Sequence, residues 1–363
     1  MRAAVYVLFV CALSLLVVEG FSSTLVVGHT AWRALPPFDE RVHTTHDAEL
    51  GWRNIPNFVR PGMYGPNAGL SIDARGFRAV PSPPAAASPR LRVICSGGSF
   101  TFGVGVGDAD TWCHHLTSLD ARTATTNIGQ IGYSIDQAFL WYRRNASEVP
   151  HDVQVLAFVS ADVDRMRYAT FMSYGKPVLA IEDGNLVVSD GPVPSRSRAG
   201  VMLQQAGSAL STFRMAQVLN FLFRKPSGGS IRAGPESVAD LRPVVAKLIE
   251  TLHDLHARQH TTLVLAFLPM RTDFADEASA PWRQAVREIA GGEIPFVDVV
   301  ADLRTLPVEK VDPMFIGPGA SEYGMAEGQY SQRGHAFVAS VIHREITEID
   351  AAKARLGDAA PSR

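Results

Sequence analysis

From residue 91 onward the chain alternates short apolar runs with segments in which apolar residues return every three or four positions. The runs are "LRVIC" from Leu91, "VQVLAFV" from Val153, "TTLVLAFLP" from Thr261 and "IPFVDVV" from Ile294, with "TATTNIG" from Thr123 as a weaker strand. Continuous apolar runs of this length suit strands buried on both faces of a parallel sheet. Between them, helical spacing sets Trp112, His115, Leu116 and Leu119 on one face. It does the same for Ile135, Phe139 and Tyr142, for Leu241, Val245, Leu248, Leu252 and Leu255, and, after the helix "PWRQAVREIA", for Phe337, Val338, Val341, Ile342 and Ile346. Strand and helix alternating in this way predict an α/β fold, a three-layer α/β/α sandwich on a mostly parallel sheet. A functional site is then expected at the carboxyl ends of the strands.

The rhythm has a beginning and an interruption. Residues 3–18 are uncharged and follow Arg2, which predicts an export segment, residues 1–28, acting as an uncleaved anchor rather than a removed signal. Residues 29–90 are rich in Gly, Pro, Asn and Arg and end in "VPSPPAAASP", an irregular extension and linker. The globular domain spans residues 91–350, with a polar, Gly-rich insertion at about 164–235 around one apolar helix, "VMLQQAGSALSTFRMAQVLNFLF", and a tail at 351–363. An anchored chain of this kind would place its globular part in the periplasm or outside the cell.

Charge narrows the function. With 34 Lys and Arg against 36 Asp and Glu, and no basic block, nothing points to nucleic acid. No Cys/His cluster has metal-site spacing, so neither metal nor cofactor is expected. The three cysteines, Cys11, Cys95 and Cys113, read as free buried thiols, with a Cys95–Cys113 disulfide open in an oxidising compartment.

The chemistry-bearing stretch is "GGSFTFG", residues 97–103, where Ser99 stands between a strand and a helix start. Glycines let the backbone approach closely, and a helix amino terminus offers N–H groups to a developing oxyanion. Together with "TTNIGQIGYSIDQ", "LAFVSADVD" and "EGQYSQRGH", this stretch resembles, in order and spacing, the four sequence blocks of the SGNH/GDSL hydrolase superfamily. It resembles its membrane-anchored bacterial branch in particular, through "GLSIDARGFRA" at residues 69–79. The resemblance implies a flavodoxin-like sandwich and hydrolysis or transfer of ester-linked acyl groups on lipids or sugars. It places the nucleophile at Ser99 and a backbone oxyanion donor at Gly132.

The same resemblance leaves gaps. The Asp of Gly-Asp-Ser falls on Gly98, the oxyanion Asn on Ala161 with Asp162 beside it, the catalytic His on Gln329 and its Asp on Ala326. Gly98, Asn127, Ala161, Asp162 and Gln329 are therefore the expected pocket residues around Ser99 and Gly132. An amide cannot take the serine proton near neutral pH. His335 matches a trailing Gly-His and reads as structural. His46 reads as a solvated loop residue, His115 as packed, His114 as exposed, and Asp162 and Asp164 as loop caps; Glu327 is a weaker candidate base. Two functions stand: an esterase or acyl transferase with a degraded or rewired site, or an inactive binding or scaffold protein for an acylated small molecule or carbohydrate.

Overall fold

The computed structural model describes residues 2–34, 43–79, 89–172, 174–189, 191–195, 235–321 and 323–357. The four apolar runs and the weaker strand form one sheet: β1 (Leu91–Gly97), β2 (Thr123–Asn127), β3 (Val153–Phe158), β4 (Thr262–Phe267) and β5 (Phe296–Asp298), ordered β5-β4-β3-β1-β2. Every neighbouring pair is parallel. Alternate residues serve opposite faces. Ile94, Leu156, Phe158, Leu265 and Phe267 pack against α4 (Ile135–Asn145), α6 (Pro235–Gln259) and α7 (Ala280–Ala290). Val93, Cys95, Val155, Ala157 and Val264 pack against α3 (Trp112–Leu119) and α8 (Gln332–Thr347). The three-layer α/β/α sandwich follows directly from runs apolar on both sides.

Several expectations need correction. Leu119 does not join the buried face of α3: it stands 50 % exposed in the last turn, where the chain leaves at Asp120. Cys95 and Cys113 are not free thiols but a disulfide joining β1 to α3, and Cys11 is exposed. His114 is half-buried rather than exposed. The extension is more ordered than its composition suggests: Thr44–Asp47 pairs with Gly51–Asn54, and Val59–Arg60 with Leu70–Ser71. His46 accordingly lies on a strand, with Nε2 against the Val193 carbonyl.

The extension is bonded to the segment before α4. Trp52 donates to the Ile131 carbonyl, Gln130 accepts from the Asn54 amide, Tyr133 donates to the Trp52 carbonyl, and Gln137 to that of Leu50. From the insertion, the structure describes hairpins at Thr170–Phe171 with Tyr174–Gly175 and at Leu179–Glu182 with Asn185–Val188. Lys176 anchors it through a fully buried ion pair with Asp136 at 2.8 Å. The apolar helix expected at 201–223 and the linker at 80–88 lie outside the described residues.

The N-terminal segment is a helix of its own, α1 (Arg2–Ala34), longer than the run at 3–18 because it continues through Glu19. Its stretch Phe9–Val27 is long and apolar enough to cross a membrane.

On the α4 side of the sheet lies a buried histidine network. His256 Nε2 faces Gln154 Oε1 at 2.7 Å, so it donates, and Nδ1 accepts from the Thr261 hydroxyl. Gln154 in turn donates to Ser96, and Tyr142 stacks on His256 and donates to His151. These bonds require neutral imidazoles. Burial, aided by His151 and His253, pushes His256 down to about 3 from its ordinary 6.5. The unfolded chain therefore takes up the proton first as pH falls. This contribution to stability is complete above the unfolded value and erodes between 6.5 and 3, by about 2 kcal/mol at pH 5. Urea unfolding at pH 8 and pH 5 is expected to show that difference in the wild type and a smaller one in His256→Gln.

Candidate functional site

Strand β1 ends at Gly97, Gly98 follows it, and Ser99 opens α2 (Ser99–Phe102), a helix of four residues. One turn carries little macrodipole, so any anion stabilisation here rests on individual N–H groups rather than on a helix field. The turn is closed by Thr101 and Phe102 amides on the Gly98 carbonyl and by Gly103 on that of Ser99. Gly98 is glycine for a steric reason. A Cβ there would stand 2.8 Å from the Tyr133 carbonyl and 3.1 Å from Asp162 Oδ1. The space beside residue 98 is thus filled by a carboxylate from the segment that follows β3.

The strand order reverses between β1 and β3, and the crevice outside the carboxyl ends of these two strands is the expected place for a ligand. A cavity of ≈ 360 Å³ lies there. Its walls include Ser99 from the β1 turn, Ala161, Asp162 and Arg165 from the chain after β3, Arg271 from the chain after β4, and Glu327 and Gln329 from the loop before α8. Four segments far apart in sequence therefore meet on one hollow. The Ser99 hydroxyl makes no hydrogen bond among the described residues, and no histidine lines the cavity among them. The Gln329 Oε1 is buried and unpartnered.

Asp162 sits on α5 (Ser160–Asp164) and caps it, accepting from the Val159 amide at 3.1 Å. It also pairs with Arg165, one turn further on. Burial pushes its carboxyl up from the usual value, against the pull of Arg165 and that amide. Asp164 accepts from the Trp282 indole. Arg165 also donates to the Tyr133 carbonyl at 3.2 Å and lies over the Phe171 ring. Phe171 in turn covers Gly132: a Cβ on that residue, at φ +73°, would meet the ring at 3.0 Å. Gly132 is thus roofed by the insertion.

The other sequence candidates have different occupations. Asn127 spends its carboxamide on the backbone, donating to the Thr101 carbonyl and accepting from Gly129, behind α2. His335 is buried, its Nδ1 accepting from the Trp112 amide, and burial lowers its basicity well below the ordinary value. Ala326 is buried in an apolar cluster with Leu70, Phe102 and Val104. Arg165 was not singled out by sequence. Its signals were its position four residues after Ala161, on the same helical face, and three after Asp162.

No family model and no curated protein matches the sequence. Among solved structures, the chain is similar to a member of the lipolytic protein G-D-S-L family from Veillonella parvula, with 14% identity, coverage of 71% of this chain and 99% of that one, and a TM-score of 0.39. It is similar to a putative lipolytic protein of the same family from Desulfitobacterium hafniense, with 11% identity, 70% and 99% coverage and a TM-score of 0.40. It is also similar to an acetylxylan esterase from Geobacillus stearothermophilus, with 12% identity, 72% and 96% coverage and a TM-score of 0.38. The α/β fold itself stands on the strand order and on the helices packed against both faces.

Proposed function

We propose that this chain is an SGNH-type protein whose Ser99 cavity binds an acyl ester, on a small molecule or carbohydrate, and turns it over only very slowly. The observation that carries the reading is the lining of the Ser99 cavity. Gln329 is part of it, and no imidazole lines the cavity among the described residues. A serine hydroxyl without a base is a poor nucleophile, and losing the base costs on the order of 10⁴ to 10⁶ in turnover.

A serine-directed phosphonate probe tests this. Labelling of the wild type is expected to stay near that of Ser99→Ala. Strong labelling lost in Ser99→Ala would point instead to a working base, and Glu327, which lines the same cavity, is the carboxylate placed to be it.

The same reading places the globular body in the periplasm or outside the cell, tethered by α1. The apolar stretch Phe9–Val27 supports a tether, and the Cys95–Cys113 disulfide supports an oxidising compartment. Digestion of the body by protease added to spheroplasts is the expected outcome. Full protection there would place it in the cytoplasm.

A further inference from the structure

We propose that Arg165 donates the hydrogen bond to the acyl oxygen of an ester in the Ser99 cavity, a role that the methyl group of Ala161 cannot fill; this rests on reading the cavity as an acyl-ester site. Ala161 and Arg165 are one helical turn apart, and both line the cavity with Ser99. The guanidinium is fixed from several sides. Its Nη2 is committed to Asp162 and to the Tyr133 carbonyl, and its plane lies over Phe171, 4.8 Å from the ring centroid. Its Nε is buried without a partner. Its Nη1 makes no hydrogen bond among the described residues and is not sealed from solvent. With the side chain 12% exposed, an uncommitted N–H is therefore available on a residue of the cavity wall.

Such a donor has the properties that an oxyanion requires. A guanidinium stays charged at any working pH, and a donor already held by other contacts does not have to reorganise when charge develops. Asp162 holds the group in place and offsets part of its charge, but it takes Nη2 and leaves Nη1 as a donor. The Phe171 ring covers both Gly132 and Arg165, and of the two it is Arg165 that lines the cavity.

The test needs a base, so it is run in the Gln329→His background on the full chain with p-nitrophenyl acetate. There the Ser99 oxygen bonds to the acyl carbon and its proton passes to the imidazole, while the carbonyl π pair moves onto oxygen beside Arg165. Collapse expels p-nitrophenolate and leaves the acyl-serine, which water then cleaves to acetic acid and free serine. Adding Arg165→Gln is expected to lower kcat about 10²-fold with KM nearly unchanged. Adding Ala161→Asn to that variant is expected to recover most of the loss. Undiminished kcat in the Arg165→Gln variant overturns the donor role alone. A loss that Ala161→Asn does not restore also overturns it, and assigns Arg165 to holding Asp162 in place. No gain in Gln329→His itself overturns the acyl-ester reading of the cavity, and the donor role with it.

Discussion

Arg78→Met is expected to lower the unfolding free energy by about 3 to 5 kcal/mol, the usual result of removing one partner from a buried ion pair. Arg78 is 5 % exposed and lies in the segment "GLSIDARGFRA". Its Nε donates to Asp108 Oδ1 at 3.0 Å, its Nη1 to the carbonyls of Phe102 and Gly103, and its Nη2 to that of Val106 at 2.6 Å. Those carbonyls belong to the turn by which the chain leaves Ser99, so one guanidinium from the extension closes the far side of the nucleophile turn. Methionine fills the volume but takes the guanidinium away from the buried Asp108 carboxylate and from three backbone carbonyls. Among the described residues, the hydrogen bond that Asp108 keeps is the one from the Ser71 amide. The double variant Arg78→Met with Asp108→Leu is expected to be more stable than Arg78→Met alone, since the stranded charge is then gone. Urea unfolding of the three proteins checks both statements. A double variant less stable than the single one would show that the backbone acceptors, and not the charge, set the cost.

The strands β1, β3 and β4 were legible because they are buried on both faces, and that condition writes itself as an unbroken apolar run; edge strand β2, half-buried at Ala124, Thr125 and Thr126, gives a weaker signal. The site was legible only where function is written into local sequence. Ser99, Ala161, Asp162 and Gln329, from three of the four blocks, line one cavity because each stands at a strand end or in the loop before α8, whereas Gly132 of the second block is not part of that lining. Asn127 was misleading for a directional reason: it terminates β2 beside β1, yet its carboxamide turns back to satisfy Thr101 and Gly129. What the sequence does not reveal is pairing at a distance. Arg78 with the Ser99 turn, Trp52 with Ile131, Lys176 with Asp136 and Phe171 over Gly132 all join segments whose composition alone reads as irregular or inserted. Even Gly98 becomes intelligible only in three dimensions, because the Asp162 carboxylate occupies the space its side chain would need.

Gln329→His is expected to raise p-nitrophenyl acetate hydrolysis about 10²-fold over the wild type, the share of serine-protease catalysis that a serine and histidine retain without their aspartate. The backbone at residue 329 is already held, its carbonyl accepting from the Ile316 amide and its own amide donating to the Ala326 carbonyl. An imidazole there joins the lining of the cavity that Ser99 also lines, at a residue whose Oε1 now lacks a partner. The gain stops well short of a complete triad because of residue 326. Ala326 is fully buried among Leu70, Phe102 and Val104, and Ile316 and the Ala326 Cβ already crowd Gly105. An aspartate placed there would be a desolvated charge in an apolar cluster, so Ala326→Asp is expected to destabilise the protein rather than orient the new imidazole. The rate of Gln329→His should rise with pH as the imidazole loses its proton, with a midpoint near the ordinary histidine value of about 6.5. It should vanish when Ser99→Ala is added. A gain that survives Ser99→Ala would assign the hydrolysis to the imidazole itself, and would remove Ser99 from the chemistry of this cavity.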